Sequence, residues 1–468
     1  MMVRKVPVPA PSPARLACGP AVLALALLAS CSEGPLDPLT PAPRPHDARE
    51  FFVPAGQPEF TALPGATAYY GIHEGIQGEA AYRIEVPDAW NGALVMFAHG
   101  YRGTGAALSV SSPSPGLRAH WVESGFAWAA SSYSANYYDV RAGVEDTNDL
   151  ALRFAELTGL APSKRYIVGQ SMGGHVAGAA VEAETLATAS HRVEYAGAIA
   201  MCGVMGDVEL YDYFVAYNVA AYGIAGMPLS SFPIPDHAEA LPAIKQALWI
   251  DYATARGAMT PQGEKLKHAL RHLSGGPRPV FDFGFPGFQD LLLGYGELMG
   301  DGNGIFAGQV VDTRAIEYQL DEDPALSAEE IDFNASVFRV DGDFLAHNPL
   351  RPDGVRAMPI LWGRFEVPVV TLHGLGDLWV PFAMQQAYAR RAAANGSGHR
   401  LVQRAIRAPG HCGFTVEETT AAFDALVDWE TNGVTPAGDD VLDPQAVAEP
   451  SYGCAFTTAT RAGLPACP

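Results

Sequence analysis

The chain has 468 residues, 48% of them hydrophobic and only 17% charged, enough for a large core and more than one structural unit. Its formal net charge of −21 leaves nothing to neutralise phosphates, so nucleic acid is excluded as a partner and polyanionic substrates are disfavoured. The 49 glycines and 37 prolines imply many well-defined loops.

Residues 1–30 read as a signal peptide. Arg4, Lys5 and Arg15 give a positive n-region, and Ala21 to Ala29 is an apolar run too short to span a bilayer. The run ends in Leu28-Ala29-Ser30-Cys31, which resembles a bacterial lipobox; the resemblance implies acylation of Cys31. Membrane contact is then expected only through this N-terminal lipid. The expected location is an exported one, as an outer-membrane lipoprotein facing the periplasm or exterior (Ser32, not Asp, follows the cysteine) or else secreted. Residues 31–60 form a tether and lead-in, kept extended by Pro35, Pro38, Pro41, Pro43 and Pro45. Loss of Cys18 with the leader and acylation of Cys31 leave four of the six cysteines, an even number that suggests two disulfides in an oxidising compartment. Their spacing matches no zinc pattern, and no metal is expected.

The core begins with an edge strand at Ala68 to Ile72 and an alternating, half-exposed strand at Ala81 to Val86. Ala93 to Ala98 is a strand buried on both faces, breaking at His99-Gly100-Tyr101-Arg102-Gly103. A helix around Leu117 to Ser124, a strand at Phe126 to Ala130 and a helix over Val144 to Leu157 follow. Tyr166 to Gln170 and Tyr195 to Met201 are two more strands, with a small-residue helix between them from His175 to Glu184. The alternation stops over 207–360, where aromatic-rich helical stretches (Tyr211 to Tyr222, Ile244 to Arg256, Phe288 to Met299) mix with Pro/Gly loops. It resumes with a strand at Val367 to Leu372, a helix at Ala383 to Ala393, a strand at Leu401 to Ile406 and a helix at Val416 to Trp429. The chain thus divides into a first core part (61–206), an insertion (207–360), a second core part (361–435) and a tail (436–468). Hydrophobic strands alternating with helices imply an α/β fold: a mostly parallel sheet flanked by helices. A segment that leaves after one strand and returns at the next is tethered over the sheet, so the insertion reads as a cap or lid.

Everything is organised around Tyr166-Ile167-Val168-Gly169-Gln170-Ser171-Met172-Gly173-Gly174. Strand, Gly-x-Ser-x-Gly turn and helix in direct succession are the context of a nucleophile elbow, with Ser171 at its tip. From about Ala66 to Gly433, apart from the insertion, the chain resembles the α/β-hydrolase superfamily, in its esterase/lipase-like secreted form. There the triad runs in chain order Ser, acid, His. His373-Gly374-Leu375-Gly376-Asp377-Leu378-Trp379-Val380-Pro381 resembles the acid turn and Arg407-Ala408-Pro409-Gly410-His411-Cys412-Gly413-Phe414 the histidine loop. The resemblance implies Asp377 as acid and His411 as base, with His373 and His99 in structural roles. It also implies an oxyanion hole from the backbone N–H groups of Met172 and Tyr101.

With the ends of these strands on one face, Cys202 is expected to reach Cys412, and Cys454 and Cys467 to close a loop in the tail. Pairing of Cys412 with a tail cysteine remains the competing arrangement. A Cys beside the histidine also resembles tannases and fungal-type feruloyl esterases, but their partner Cys precedes the serine, where this chain has Gln170. Asp301-Gly302-Asn303-Gly304 and Asp341-Gly342-Asp343 lack the ligand spacing of calcium loops and read as turns. Gly100 to Gly105 lacks the rest of a dinucleotide site, so no cofactor is expected. The expected function is hydrolysis of a small-molecule carboxylic ester through an acyl-enzyme. A serine exopeptidase or amidase of the same fold is the alternative, and a non-catalytic binding protein a more distant one. The oligomeric state is left open.

Overall fold

A computed structural model describes residues 49–298, 309–352 and 354–468. The signal peptide, Cys31, most of the tether and the Asp301 to Gly304 turn lie outside the described residues.

Eight strands make one sheet: β1 (Ala66–Gly75), β2 (Gly78–Pro87), β3 (Ala93–Ala98), β4 (Ala127–Ser131), β5 (Lys164–Gln170), β6 (Gly197–Met201), β7 (Val369–Gly374) and β8 (Leu401–Ile406). Their spatial order is β1-β2-β4-β3-β5-β6-β7-β8. β1 and β2 are antiparallel to their neighbours; from β4 onward every pairing is parallel. The first core helices are α1 (Pro115–Glu123), α2 (Val140–Thr158), α3 (Met172–Ala180) and α4 (Ala183–Thr188). Between β6 and β7 come α5 (Glu209–Ile224), α6 (His237–Leu248), α7 (Pro261–Leu273), α8 (Phe281–Gly284), α9 (Gln289–Leu298), α10 (Ala328–Ser336) and α11 (Phe344–His347). The chain ends with α12 (Ala383–Ala394), α13 (Val416–Asn432) and α14 (Pro444–Ala448).

The period-2 alternation of the strands explains the layering. In β3, Leu94, Met96 and Ala98 join the apolar cluster that holds α2, α3 and the insertion, while Val95 and Phe97 join the one under α1 and α13. Both faces are therefore covered, which is why these strands read as unbroken apolar runs. The expected α/β architecture is the one adopted, with the helix-rich insertion between β6 and β7.

Three local readings need correction. β2 is buried along most of its length, because it lies inside the sheet between β1 and β4. Its Glu85 is 0% exposed and is answered there by Arg118 Nε and Trp128 Nε1, at 2.7 and 2.6 Å from Oε2. The helix expected at Ile244 to Arg256 runs earlier, as α6, and stops where Trp249 turns extended and pairs with Met259. α7, started by Thr260 as N-cap and Pro261 at its first position, was not anticipated.

The tail is also a packed element. Val441, Val447, Tyr452 and Leu464 cluster with Leu375, Phe382 and Ala405. Asp439 Oδ2 accepts the Ala405 N–H at 2.7 Å and Thr457 Oγ1 the Arg407 N–H at 2.9 Å, so the tail occupies donors on and just beyond edge strand β8. No helix among the described residues is long and apolar enough to cross a membrane.

Candidate active site

Ser171 follows β5, Asp377 follows β7 and His411 follows β8, so parallel strands deliver all three side chains to one edge of the sheet. Ser171 adopts φ 60°, ψ −123°, a left-handed conformation that a non-glycine residue holds only under constraint. Backbone bonds supply the constraint: Ser171 N–H donates to Met201 O at 2.9 Å and Ser171 O accepts from Gly174 N at 2.8 Å. The turn works only without side chains around it. A methyl on Gly169 would overlap the Gly173 carbonyl oxygen, and one on Gly173 the Ala98 carbonyl oxygen.

His411 joins the other two. Its Nε2 lies 2.8 Å from Ser171 Oγ and its Nδ1 2.6 Å from Asp377 Oδ2. Asp377 is 0% exposed, and its other oxygen accepts the N–H groups of Trp379 and Val380 at 3.0 and 3.1 Å. The acid turn and histidine loop are zipped together by Leu375 N–H to Ile406 O and Gly376 N–H to Ala408 O, at 2.8 and 2.9 Å. Beyond His411 the loop ends in a capping box, Thr415 with Glu418, that starts α13 and contributes about 1 kcal/mol.

Cys202, directly after β6, is bonded to Cys412, and Cys454 to Cys467. Cys202, His411 and Cys412 form the one group of three potential metal ligands among the described residues. The two sulfurs are bonded to each other and the imidazole nitrogens face Ser171 and Asp377, so this set is not available to an ion.

Met172 is the first residue of α3, so its N–H has no intrahelical acceptor and points with the helix dipole beside Ser171. On the other side, a side chain at Gly100 would come within 3.0 Å of Ser171 Cβ, which puts the Gly100–Tyr101 backbone against Ser171. His99 lies below, its ring stacked on Tyr133 at 4.0 Å and its nitrogens 2.7 and 3.0 Å from the Gly100 and Ser132 carbonyl oxygens. His373 donates from Nε2 to Val380 O at 2.8 Å and accepts from Gln385 Nε2 at 3.1 Å. Burial pushes both pKa values down to about 4, and the one donor and one acceptor contact of His373 suit a neutral ring.

Sequence reasoning missed the groups that the insertion brings to the site. The Trp379 ring lies 5.0 Å from the His411 ring, and its Nε1–H donates to Tyr295 Oη of α9 at 2.9 Å. Tyr295 stacks on Phe214 of α5 at 4.0 Å. Tyr213 Oη–H donates to Leu378 O at 2.9 Å, and Arg278 Nε–H to Leu375 O at 2.7 Å. Arg278 stands in Gly275-Gly276-Pro277-Arg278-Pro279, a cation among loop-formers and aromatics; that was the only sequence signal available.

No family model matches the chain. An o-phthalyl amidase from Xanthobacter agilis is 32% identical over 89 residues, a match spanning 19% of each protein. Among solved structures, a thermostable esterase from Pseudomonas putida matches with a TM-score of 0.34 and 14% identity, covering 75% of this chain and 76% of that one. An acylaminoacyl peptidase from Pyrococcus horikoshii matches with a TM-score of 0.39 and 10% identity, covering 82% of this chain and 45% of that one.

Proposed function

We propose, from the premise that the chain has the α/β-hydrolase fold, that it is a serine hydrolase cleaving carboxylic esters of small molecules. The observation that carries this reading is His411 within hydrogen-bond reach of both Ser171 Oγ (2.8 Å) and Asp377 Oδ2 (2.6 Å). His411 Nε2 takes the Ser171 proton as Oγ attacks the carbonyl carbon, then returns it to the leaving alkoxide. Asp377 keeps Nδ1 protonated, so that Nε2 is the nitrogen with a free lone pair. The tetrahedral oxyanion is received by the N–H groups of Met172 and Tyr101. Water, activated by the same imidazole, then releases the acid from Ser171.

In this reading the insertion is a cap whose aromatic residues (Tyr295, Phe214) back onto Trp379 beside the base and favour apolar or aromatic acyl groups. Amide cleavage is the second reading, supported by the local similarity to an amidase. The chain would act outside the cytoplasm, which its two disulfides support. Lipid on Cys31 would be its only membrane contact; mass spectrometry of the mature N-terminus tests this, and an unmodified terminus refutes it.

The activity is tested with a fluorophosphonate probe, short p-nitrophenyl esters and aminoacyl amides. Labelling should map to Ser171, and Ser171→Ala should lower kcat by roughly 10⁶-fold. Labelling at another serine, or an active Ser171→Ala enzyme, overturns the reading. Faster turnover of the amides favours the second one.

A further inference from the structure

Three hydrogen bonds tie the insertion to the turn that carries Asp377, and a fourth ties it to the start of α12 just beyond. Arg278 reaches Leu375 O, Tyr213 reaches Leu378 O, Tyr295 receives Trp379 Nε1–H, and Ser274 O accepts the Ala383 N–H at 3.0 Å. The backbone is close as well: a methyl on Gly284 would overlap the carbonyl oxygen of Gly376 and approach that of Pro409 in the histidine loop. The insertion is therefore wedged against both loops.

Arg278 differs from the other three contacts because it carries a charge. It is 7% exposed, and no carboxylate among the described residues is in salt-bridge contact with it. Its guanidinium instead donates to three neutral acceptors: Leu375 O at 2.7 Å, Gly276 O at 2.9 Å and Ser274 Oγ at 3.1 Å. The Phe281 ring lies 5.2 Å from Cζ. Burial lowers its pKa to about 10, which leaves it cationic at neutral pH. The ionisable groups that interact with it electrostatically are Tyr213, Arg271, Asp377, Asp282 and His373. Burying an unpaired cation opposes folding, so packing alone does not account for it. Of the two carboxylates that act on it, Asp377 is buried and Asp282 exposed.

Resting on the triad reading above, we propose that Arg278 is a positioning residue for Asp377. Its Nε–H fixes the acid turn through Leu375, two residues before the carboxylate. The insertion then completes the active site as well as covering it. A displacement of about 1 Å at such a turn costs on the order of 10²-fold in rate.

The test compares Arg278→Met and Arg278→Lys in the full-length protein, with folding checked by circular dichroism and Tm. Arg278→Met should lower kcat by about 10- to 100-fold with KM within about twofold. Arg278→Lys keeps the charge but not the fork, so it should recover only part of kcat, again with KM within about twofold. A folded Arg278→Met enzyme with wild-type kcat overturns the proposal, as does equal loss in both variants or a loss that falls on KM rather than kcat. Should Arg278→Met not fold, Ser274→Ala removes one support of the guanidinium and should lower kcat a few-fold; unchanged kcat there overturns it too. Fluorophosphonate labelling separates this inference from its premise. Slowed labelling of Ser171 in the variants supports Arg278, whereas an unlabelled wild type refutes the triad itself.

Discussion

Cys202 and Cys412 are joined by a disulfide that brackets Ser171 and His411. Cys412 follows His411, and Cys202 follows Met201, whose carbonyl accepts the Ser171 N–H at 2.9 Å. One covalent path therefore runs from the backbone holding the serine to the backbone holding the histidine. Cleaving the bridge, by Cys202→Ala or a dithiol reductant, should lower kcat on the order of 10²-fold at temperatures where the protein stays folded. The residues bridged are 210 apart in sequence, so the chain-entropy model also assigns the bond about 5 kcal/mol of stability. Kinetics must then be read well below the lowered Tm. A Cys202→Ala enzyme that is folded and keeps full kcat would remove the bridge from any part in positioning.

Asp377→Asn should be nearly isosteric and still disabling. Oδ1 takes two backbone N–H donors, so the asparagine carbonyl oxygen will orient there and its NH2 will face His411 Nδ1. That forces the proton onto Nε2, which then has no lone pair for the Ser171 hydroxyl. The expected loss is about 10⁴-fold in kcat with the fold intact. Proton NMR of the imidazole should report the exchanged tautomer; a loss below tenfold would contradict the proposed role of Asp377.

Gly173→Ala should disrupt the elbow itself. Its methyl would meet the Ala98 carbonyl oxygen at the end of β3, a rigid backbone group that a rotamer change cannot move aside. A destabilisation of about 2 kcal/mol or more and near-complete loss of activity are expected. Gly105→Ala, with open space around it, is the matched control. Equal Tm for the two variants would show that the elbow is not tightly packed.

Stability should also respond to pH through a polar cluster beside α2. His191 Nδ1 lies 3.3 Å from Glu145 Oε2 and its Nε2 3.6 Å from Asp149 Oδ1. The Glu145 carboxylate, then Asp149, raise the His191 pKa against desolvation. A raised folded-state pKa contributes stability fully present below about pH 6.5 and lost as pH rises through the folded value. Burial pushes the Glu145 carboxyl up, but the His191 side chain and the N–H groups of His191 and Ser190 outweigh it and hold the pKa down. Its contribution is present above about pH 4.3 and lost as pH falls through its lowered value. Tm should fall on both sides of this window, and His191→Gln should flatten the upper side. An unchanged alkaline slope in that variant would assign it to other groups.

The sequence by itself determined the parts whose physics is local. Unbroken apolar runs at Ala93 to Ala98 and Leu401 to Ile406 have no stable place except inside a covered sheet, and both are strands. The glycines around Ser171 announce a turn where backbones touch, and the Gly-x-Ser-x-Gly strand–turn–helix order forms there. Because each of Ser171, Asp377 and His411 comes directly after a parallel strand, chain order alone carries them to one edge. Tertiary structure decided whatever depends on distant segments meeting. The alternation of β2 looked half-exposed because nothing local says that it lies between β1 and β4. Four cysteines permit more than one pairing, and only the return of the loop after β8 across the end of β7 selects Cys202 with Cys412. Arg278 meets Leu375 across 97 positions of sequence, through the packing of the insertion, and no periodicity or motif encodes an encounter of that kind.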